Sequence, residues 1–350
     1  MKLSLEPWMP EYDTSLQEQP GLPSSRPEDV NLFVEGLEAW NPVQPLATRA
    51  SEVDFQRLYF IDGRRRIEAK VYGETLVENE FQSAPGLLGT FAVGLVESFM
   101  TNSPAKIIKA EISRVLVLNH PEGENLIIKT RGHEYGELKY NFVQMNETIN
   151  TDTALTTRLQ FLMRNAEDEL SSSLTLDDAL LILDGPLQRR APDRALGYVK
   201  TIHNFYVPPL EQRTIRQLQR GQRTPIFSIK SGLERYSWYL RLDDTPDYYQ
   251  PFAGIVRLEV RNELGLAWAQ KIADWTCIML PKYAAKGFRD PRAPQQLMPI
   301  AFLESELGRR MGDLAIIRRR IQAFLRQERI RQEPLGFAMD AKIELDQDFN

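Results

Sequence analysis

The chain of 350 residues contains one cysteine, Cys277, and three histidines. A single thiol excludes an internal disulfide and a zinc site built from cysteines, and it favours a reducing compartment. Cys277 lies within an apolar helical pattern, so we expect it in the core rather than in the role of a nucleophile. The GxSxG motif that would present a serine nucleophile is also absent.

Long apolar runs and nucleotide-binding motifs are missing as well. No stretch approaches the roughly 18 consecutive apolar residues that a membrane span requires. The first residues, MKLSLEPWMPEYD, lack the apolar segment of a signal peptide. We therefore expect a cytoplasmic protein that contacts no membrane. The absence of GxGxxG and Walker A motifs argues against dinucleotide-binding and P-loop enzymes.

Neither sign of charge dominates the chain. The 43 Lys and Arg residues and 48 Asp and Glu residues give a formal net charge of -5. Such a balance leaves room for local basic patches, so the net charge does not exclude a nucleic-acid partner. Hydrophobic residues make up 42% of the chain, which is enough for a sizeable core.

Hydrophobic periodicity predicts a β-meander in the first half of the chain, followed by mixed elements. Strands are predicted at 55–62, 65–74 after a turn at Gly63-Arg64, 86–99, 105–119, 176–185, 236–242 and 254–261. Residues 124–145 add an edge strand or an extension, and 195–202 form a strand or an extended loop that presents Lys200. Helices are predicted at 153–172, at 209–224 as a basic helix, at 266–279, and at 300–330 as one long or broken helix. This order is typical of an α/β protein with a mixed sheet flanked by helices.

The predicted core spans residues 51–330. Before it, residues 1–50 carry many Pro, Glu and Ser residues with short apolar islands, which indicates an irregular N-terminal arm. The C-terminal helices form an extension of the core, and residues 331–350 form an acidic C-terminal tail. We therefore expect one domain with an arm and a tail.

Two predicted strands, FQRLYFID and LLILD, end on Asp62 and Asp184, and a glycine follows each aspartate. Either Asp-Gly pair, taken by itself, is explained by a turn, since Asp and Gly are both favoured there. If the two strands are neighbours, however, the two carboxylates meet at adjacent strand ends and repel each other. A divalent cation with a preference for oxygen ligands, Mg²⁺ or Mn²⁺, offsets that repulsion.

The helix predicted over 153–172 supplies further carboxylates. Glu167 and Glu169 lie on the flanks of its apolar stripe, so either could reach the strand ends, whereas Asp168 points towards solvent. A site with two cations, in which one activates a water and the other stabilises the leaving oxygen of a phosphodiester, needs such additional ligands.

Four segments, YFIDGRRR, LILDGPL, GYVKTIHN and RAPQQLMPIAFLESELGRRMGD, resemble in order and spacing the NurA family of prokaryotic DNA-end-processing nucleases. The resemblance covers about residues 55–325. It implies an RNase H-like mixed sheet and a NurA-like nuclease domain over 51–330. It also implies an exonuclease and single-strand endonuclease that depends on Mn²⁺ or Mg²⁺ and hydrolyses phosphodiesters with a metal-activated water. Such enzymes resect DNA ends in double-strand break repair.

The resemblance implies partners too: single-stranded DNA and duplex ends, a second copy of the chain in a homodimer, and a hexameric HerA-type ATPase. Carried over residue by residue, it places metal ligands at Asp62 and Asp184. The helix glutamate falls on Glu167, with Glu169 as the alternate. Lys200 corresponds to a recurring lysine after the second aspartate, where a cation can hold a phosphate. Asp62, Asp184, Glu167 and Lys200 are thus the candidate catalytic residues.

This chain departs from the family at its motif neighbours and at its last helix. Family members commonly carry Asp-Gly-Ser, whereas this chain has Asp-Gly-Arg and Asp-Gly-Pro. Near the last helix the family carries a histidine or an acid, and this chain offers Glu304, with no histidine after His203. We therefore take Glu304 as a further candidate metal ligand.

Candidate DNA contacts come from the basic clusters near the two aspartates in sequence and from the last resembling segment. They are Arg64, Arg65, Arg189, Arg190, Arg292 and Gln296.

Two other functions fit the sequence. The altered motif neighbours and the missing late histidine also suit a catalytically weak DNA-binding or adaptor subunit of a HerA-type ATPase complex. A phosphohydrolase for small substrates is the third interpretation, and it predicts a compact, closed pocket without a basic channel.

Overall fold

The computed structural model describes residues 29–77, 80–100, 104–119, 123–129, 136–145, 152–202 and 205–332. Most of the predicted N-terminal arm, His203 and nearly all of the acidic tail lie outside the described residues. Among the helices of the described part, none is both long and apolar enough to cross a membrane.

The described part of the chain is mainly strand before residue 152 and mixed up to residue 261, and its elements from residue 265 onward are helices. The strands are β1 (Val30–Asn31), β2 (Arg57–Val77), β3 (Glu80–Phe99), β4 (Lys106–Leu118), β5 (Leu126–Ile128), β6 (Leu138–Gln144), β7 (Ala179–Asp184), β8 (Ala195–Val199), β9 (Phe227–Ile229), β10 (Arg235–Arg241) and β11 (Ile255–Arg261). The helices are α1 (Ala47–Ala50), α2 (Asp152–Ser172), α3 (Gln212–Gln217), α4 (Gly265–Tyr283), α5 (Met298–Arg310) and α6 (Leu314–Gln332). The mixed α/β class is confirmed, whereas the RNase H-like core stays a prediction.

The chain divides into two compact units. The first comprises Met1–Gly63, Val93–Glu111 and Arg164–Leu307. The second comprises Arg64–Ala92, Ile112–Met163 and Gly308–Asn350. Elements β2, β3, β4, α2 and α5 contribute residues to both units.

The sheet of the first unit has the strand order β1-β9-β10-β11-β8-β7-β2-β3. β7 pairs in parallel with β2 on one side and with β8 on the other, while β11 pairs antiparallel with β8 and β10. Five of the six residues of β7 are buried, as expected for a continuous apolar run in the middle of a parallel sheet. On helix α4, Cys277 is buried with a free thiol, which confirms the predicted core position.

In the second unit the strand order is β2-β3-β4-β6-β5. β6 runs parallel to β4 and antiparallel to β5, so the predicted β-meander is wrong at this point. Hydrophobic alternation marks a strand but carries no information on its direction. The core of this unit includes Leu88, Tyr140 and Ile317, the last of these from α6.

The two Asp-Gly pairs, alike in sequence, differ in backbone structure. The predicted turn at Gly63-Arg64 is wrong, because β2 continues through both residues as far as Val77. Asp62 therefore lies within a strand rather than at its end. Asp184 does end β7, and Gly185 follows with a φ of 117°, a conformation that favours glycine.

The predicted basic helix at 209–224 is short, since α3 covers only Gln212–Gln217. Beyond it, Arg223 is fully buried and bonds Glu35 and Asp274 at 2.9 and 3.1 Å. A guanidinium buried and paired in this way is not presented to a nucleic acid. The predicted C-terminal helix is broken into α5 and α6 around Gly312, whose φ is 84°.

Candidate metal centre

Strand register brings the two aspartates together in the first unit. Ile61 of β2 pairs with Leu183 of β7 in parallel, and Asp62 and Asp184 are the next residues along each strand. Because neighbouring parallel strands keep their pleats in phase, both side chains project from the same face of the sheet. The aspartates meet as the sequence predicted, although only β7 ends there.

A third carboxylate comes from α5. Helix α5 buries Ile300, Leu303 and Leu307, and Glu304 lies on the flank of this apolar stripe. The helix approaches β3 closely at Gly94, where a Cβ atom would lie 2.6 Å from the Leu303 side chain. Helix packing therefore delivers Glu304 to the sheet face that carries the aspartates.

Asp62, Asp184 and Glu304 each offer one carboxylate oxygen such that these atoms all lie within 4.8 Å of one another. Asp62 is only 8% exposed, and within the described part of the chain its Oδ2 atom is buried without a hydrogen-bond partner. Burial first, and then the charges of Asp184 and Glu304, raise the pKa of Asp62 well above its usual range. A buried carboxylate that has one oxygen without a partner and lies beside two other carboxylates is costly, so these residues fit a divalent cation.

The ion that this donor set suits is a hard one. All three donors are carboxylate oxygens, which Mg²⁺ and Mn²⁺ prefer over the nitrogen and sulphur ligands of softer metals. Asp62 Oδ2 supplies an acceptor that a bound cation would satisfy.

Glu167 of α2 lies beside this group. Burial and the charge of Asp184 raise the pKa of Glu167 to about 7, while the Gly63 backbone donates a hydrogen bond that opposes the rise. Glu169, two residues further along the helix, is exposed. Of the two predicted helix ligands, Glu167 is thus the one that the structure brings to the aspartates.

Lys200 directly follows β8, and its ammonium faces the carboxylates. Nζ donates to Asp184 Oδ2 at 2.5 Å and to Gln296 Oε1 at 2.8 Å. Burial lowers the pKa of Lys200, but Asp184, Asp62 and Glu304 outweigh burial, so the pKa is raised and the side chain stays cationic. Asp184 and Lys200 thus form a largely buried ion pair.

Arg292 holds Glu304 through two hydrogen bonds, Nη1 to Oε1 at 2.9 Å and Nη2 to Oε2. Burial raises the pKa of Glu304, but Arg292 and then Lys200 overcome this effect and lower it. Glu304 is therefore ionised. An ionised carboxylate has about four lone-pair sites, so it can accept two bonds from an arginine and still bind a cation.

The predicted DNA contacts fall into three groups. Arg292 and the fully buried Gln296 belong to the carboxylate site. Arg189 and Arg190, in the connection after β7, are exposed, and the charge of Arg190 acts on Asp168. The remaining two, Arg64 and Arg65, lie on the part of β2 that belongs to the second unit and are exposed there. Contact with DNA stays a prediction for all six.

The sequence interpretation missed Glu259 of β11. This glutamate is fully buried, and its Oε1 accepts the backbone N–H of Leu187 at 2.6 Å, in the turn that follows Asp184. Arg235 and Arg257 pair with its other oxygen. The alternation of charged and apolar residues in RLEVR was the available signal, but it reads as an ordinary half-exposed strand.

Comparisons with known proteins give little further information. No protein-family model and no curated protein matches the chain. Among solved structures, it is similar to one described as the crystal structure of the NurA nuclease from Sulfolobus solfataricus. That similarity covers 83% of this chain and 88% of the other, with 11% identity and a TM-score of 0.45. Similarity at this level assigns neither a family nor an activity.

Proposed function

We propose that this protein is a divalent-metal-dependent nuclease that hydrolyses phosphodiester bonds in DNA. The observation that carries the proposal is the convergence of three carboxylates from distant segments, those of Asp62, Asp184 and Glu304. One oxygen of each lies within 4.8 Å of the other two. Burying such a group without a cation costs free energy of folding, whereas a surface cluster of acids would cost little. A functional site is where such a cost is expected.

Asp62, Asp184 and Glu304 would hold the cation, with Glu167 beside them. A bound Mg²⁺ or Mn²⁺ supplies Lewis acidity towards a phosphoryl oxygen and lowers the pKa of a bound water. The raised pKa of Glu167, about 7, suits a group that accepts a proton near neutral pH.

Lys200 and Arg292 give the site its positive charge. Lys200 Nζ has three N–H groups, of which Asp184 and Gln296 take two. The third is available for a phosphate oxygen of the substrate, where an ammonium offsets the developing negative charge. Arg292 orients Glu304 through its two parallel hydrogen bonds.

DNA as the substrate rests on the resemblance of the four segments and on the exposed arginines. Arg189 and Arg190 follow β7, two positions beyond the turn at Gly185–Leu187, and such arginines contact phosphates without reading sequence. A small-substrate phosphohydrolase would instead enclose its carboxylates in a pocket. One cavity of about 370 Å³ lies elsewhere, lined by Leu174, Leu176, Asp177, Pro192, Asp193, Arg194 and Leu264.

A cleavage assay on single-stranded DNA tests this function. We expect the wild-type protein to cut in the presence of Mn²⁺ or Mg²⁺ and to stop on addition of EDTA. Asp62→Asn and Asp184→Asn should lose activity by about 100-fold or more, as expected when an essential electrostatic contact is removed. Asp178→Asn is the matched control and should retain activity, because Asp178 pairs with Arg57 at the opposite end of β2 and β7. Full activity of either site variant would refute the assignment.

The adaptor interpretation has one observation in its favour. Lys200 and Arg292 already pair with two of the three carboxylates, so the site is partly neutralised without a metal. An adaptor would bind DNA yet bind no Mn²⁺ in calorimetry and cut no DNA in its presence. Detectable metal binding together with cleavage eliminates it.

The wider biological setting is part of the proposal and rests on the resemblance. We propose exonuclease and single-strand endonuclease action in DNA end resection, a homodimer, and association with a hexameric HerA-type ATPase. Light scattering gives the oligomeric state, and co-purification with the ATPase tests the association. A monomeric protein that does not bind the ATPase would refute the proposed homodimer and the proposed ATPase association. The nuclease assignment would not be affected.

A further inference from the structure

The ammonium of Lys200 lies against Asp184, one of the three clustered carboxylates. Building on the proposed function, we propose that each chain binds a single divalent cation and that the Lys200 ammonium takes the place of a second. Nζ of Lys200 lies 2.5 Å from Asp184 Oδ2, and the two side chains are only 12% and 13% exposed. Two-cation phosphodiesterases hold a second ion about 4 Å from the first.

Gln296 fixes the position of this ammonium. The side chain of Gln296 is fully buried, and its Oε1 accepts from Lys200 Nζ at 2.8 Å. Within the described residues, its Nε2 is buried without an acceptor. Reversing the amide would set its N–H groups against the ammonium, so the lysine and the glutamine hold each other in one orientation. The ammonium is thus a built part of the site and not a surface charge folded over it.

The charges of the site also suit one divalent cation beside the ammonium. Arg292, which holds Glu304, is shared with Asp290 at 3.5 Å, so its charge is already paired. The three carboxylates of Asp62, Asp184 and Glu304 are then balanced by the single charge of Lys200 and the two charges of one divalent cation. A second cation would leave an excess of positive charge in a largely buried site.

The competing arrangement has Lys200 moving aside while two cations bind. Replacing Lys200 by a neutral residue separates the two arrangements, because it removes the positive charge and frees Asp184 Oδ2 and Gln296 Oε1, both oxygen donors. If the ammonium takes the place of a cation, its removal should raise the number of bound ions from one to two. If Lys200 only contacts substrate, the number should not change.

The test is calorimetric titration of the metal-free, full-length protein with Mn²⁺, which does not depend on activity. We expect one ion per chain for the wild type and two for Lys200→Met. Lys286→Met is the matched control, since Lys286 forms an exposed pair with Asp243 at 2.6 Å, and it should bind one ion. Lys200→Gln serves as a second neutral variant if circular dichroism shows that Lys200→Met does not fold. Electron paramagnetic resonance should detect spin coupling between two neighbouring Mn²⁺ ions only in the neutral variants.

The possible results separate this inference from the proposed function. Two ions in the wild type would overturn the inference and leave the nuclease proposal standing. One ion in both the wild type and the folded neutral variant would also overturn it. No bound ion in the wild type would overturn the proposed function, and the inference with it.

Discussion

Asp62 and Asp184 lie opposite each other on adjacent parallel strands, each one residue beyond the pair Ile61–Leu183. The relationship is set by backbone hydrogen bonding, so it does not depend on flexible side chains. Two carboxylates fixed in this way cannot move apart to relieve their repulsion. The fold therefore maintains an electrostatic cost that a cation or a proton must offset, and several predictions derive from this cost.

Removing the charge of Asp62 should stabilise the metal-free protein. The raised pKa of Asp62 shows that its ionised form is disfavoured in the folded state. Asp62→Asn is nearly isosteric and should raise the free energy of unfolding by roughly 0.5–2 kcal/mol, the scale of single stabilising substitutions. Denaturant unfolding in EDTA measures the change. A less stable variant would show that Asp62 stabilises the fold without a metal.

Glu167 should make the stability of the metal-free protein depend on pH. Its folded-state pKa of about 7 lies above the ordinary 4.5, so the folded state binds more protons than the unfolded state between these values. Stability should consequently fall as pH rises from about 4.5 to 7, by roughly 1–3 kcal/mol. Urea unfolding at pH 5 and pH 7.5 measures the loss, which Glu167→Gln should reduce. Glu169→Gln, at the exposed position on the same helix, should leave the wild-type pH dependence unchanged.

Metal affinity should increase with pH. A cation binds the ionised form of Asp62, and the raised pKa of Asp62 means that binding releases a proton. The apparent dissociation constant for Mn²⁺ should therefore decrease as pH rises through that pKa, and titration in buffers of different ionisation enthalpy should detect the released proton. An affinity independent of pH between 5 and 8 would contradict this protonation state.

Glu259 should position Asp184 through the turn that ends at Leu187. Glu259→Gln weakens the bond to the Leu187 N–H and leaves the guanidinium groups of Arg235 and Arg257 without their charged partner. We expect a loss of roughly 3–5 kcal/mol in stability, as for a broken buried ion pair, together with weaker Mn²⁺ binding. Glu263→Gln, in a half-exposed pair with Arg261, is the control and should change stability by less than about 1 kcal/mol. Unchanged Mn²⁺ affinity in a folded Glu259→Gln protein would limit Glu259 to a structural role.

Part of this site could be predicted from local sequence. The apolar run of β7 ending in Asp-Gly identified a buried strand with a carboxylate at its end, and its likeness to YFIDG identified the second aspartate. The two glycines could not be told apart, because the pairing of β2 with its neighbours, and not the dipeptide, decides whether the backbone turns. Tertiary packing overrode the local turn signal at Gly63.

Other parts depended on contacts between distant segments. Glu304 was found through a resemblance, since the close approach of α5 at Gly94 leaves no local pattern. The burial of Arg223 and Glu259 could not be predicted, because a charged residue in an otherwise ordinary segment reads as exposed until its partners are known. Glu35 and Asp274 lie 188 and 51 positions from Arg223.

Anomalous diffraction from crystals grown with Mn²⁺ tests the central claim most directly. The account predicts an anomalous peak bounded by carboxylate oxygens of Asp62, Asp184 and Glu304, at about 2.0–2.6 Å from each, the range of oxygen ligands to hard divalent cations. The peak should be absent from crystals of Asp62→Asn. No peak at these carboxylates in the wild type at saturating Mn²⁺, or a peak held by other residues, would contradict it.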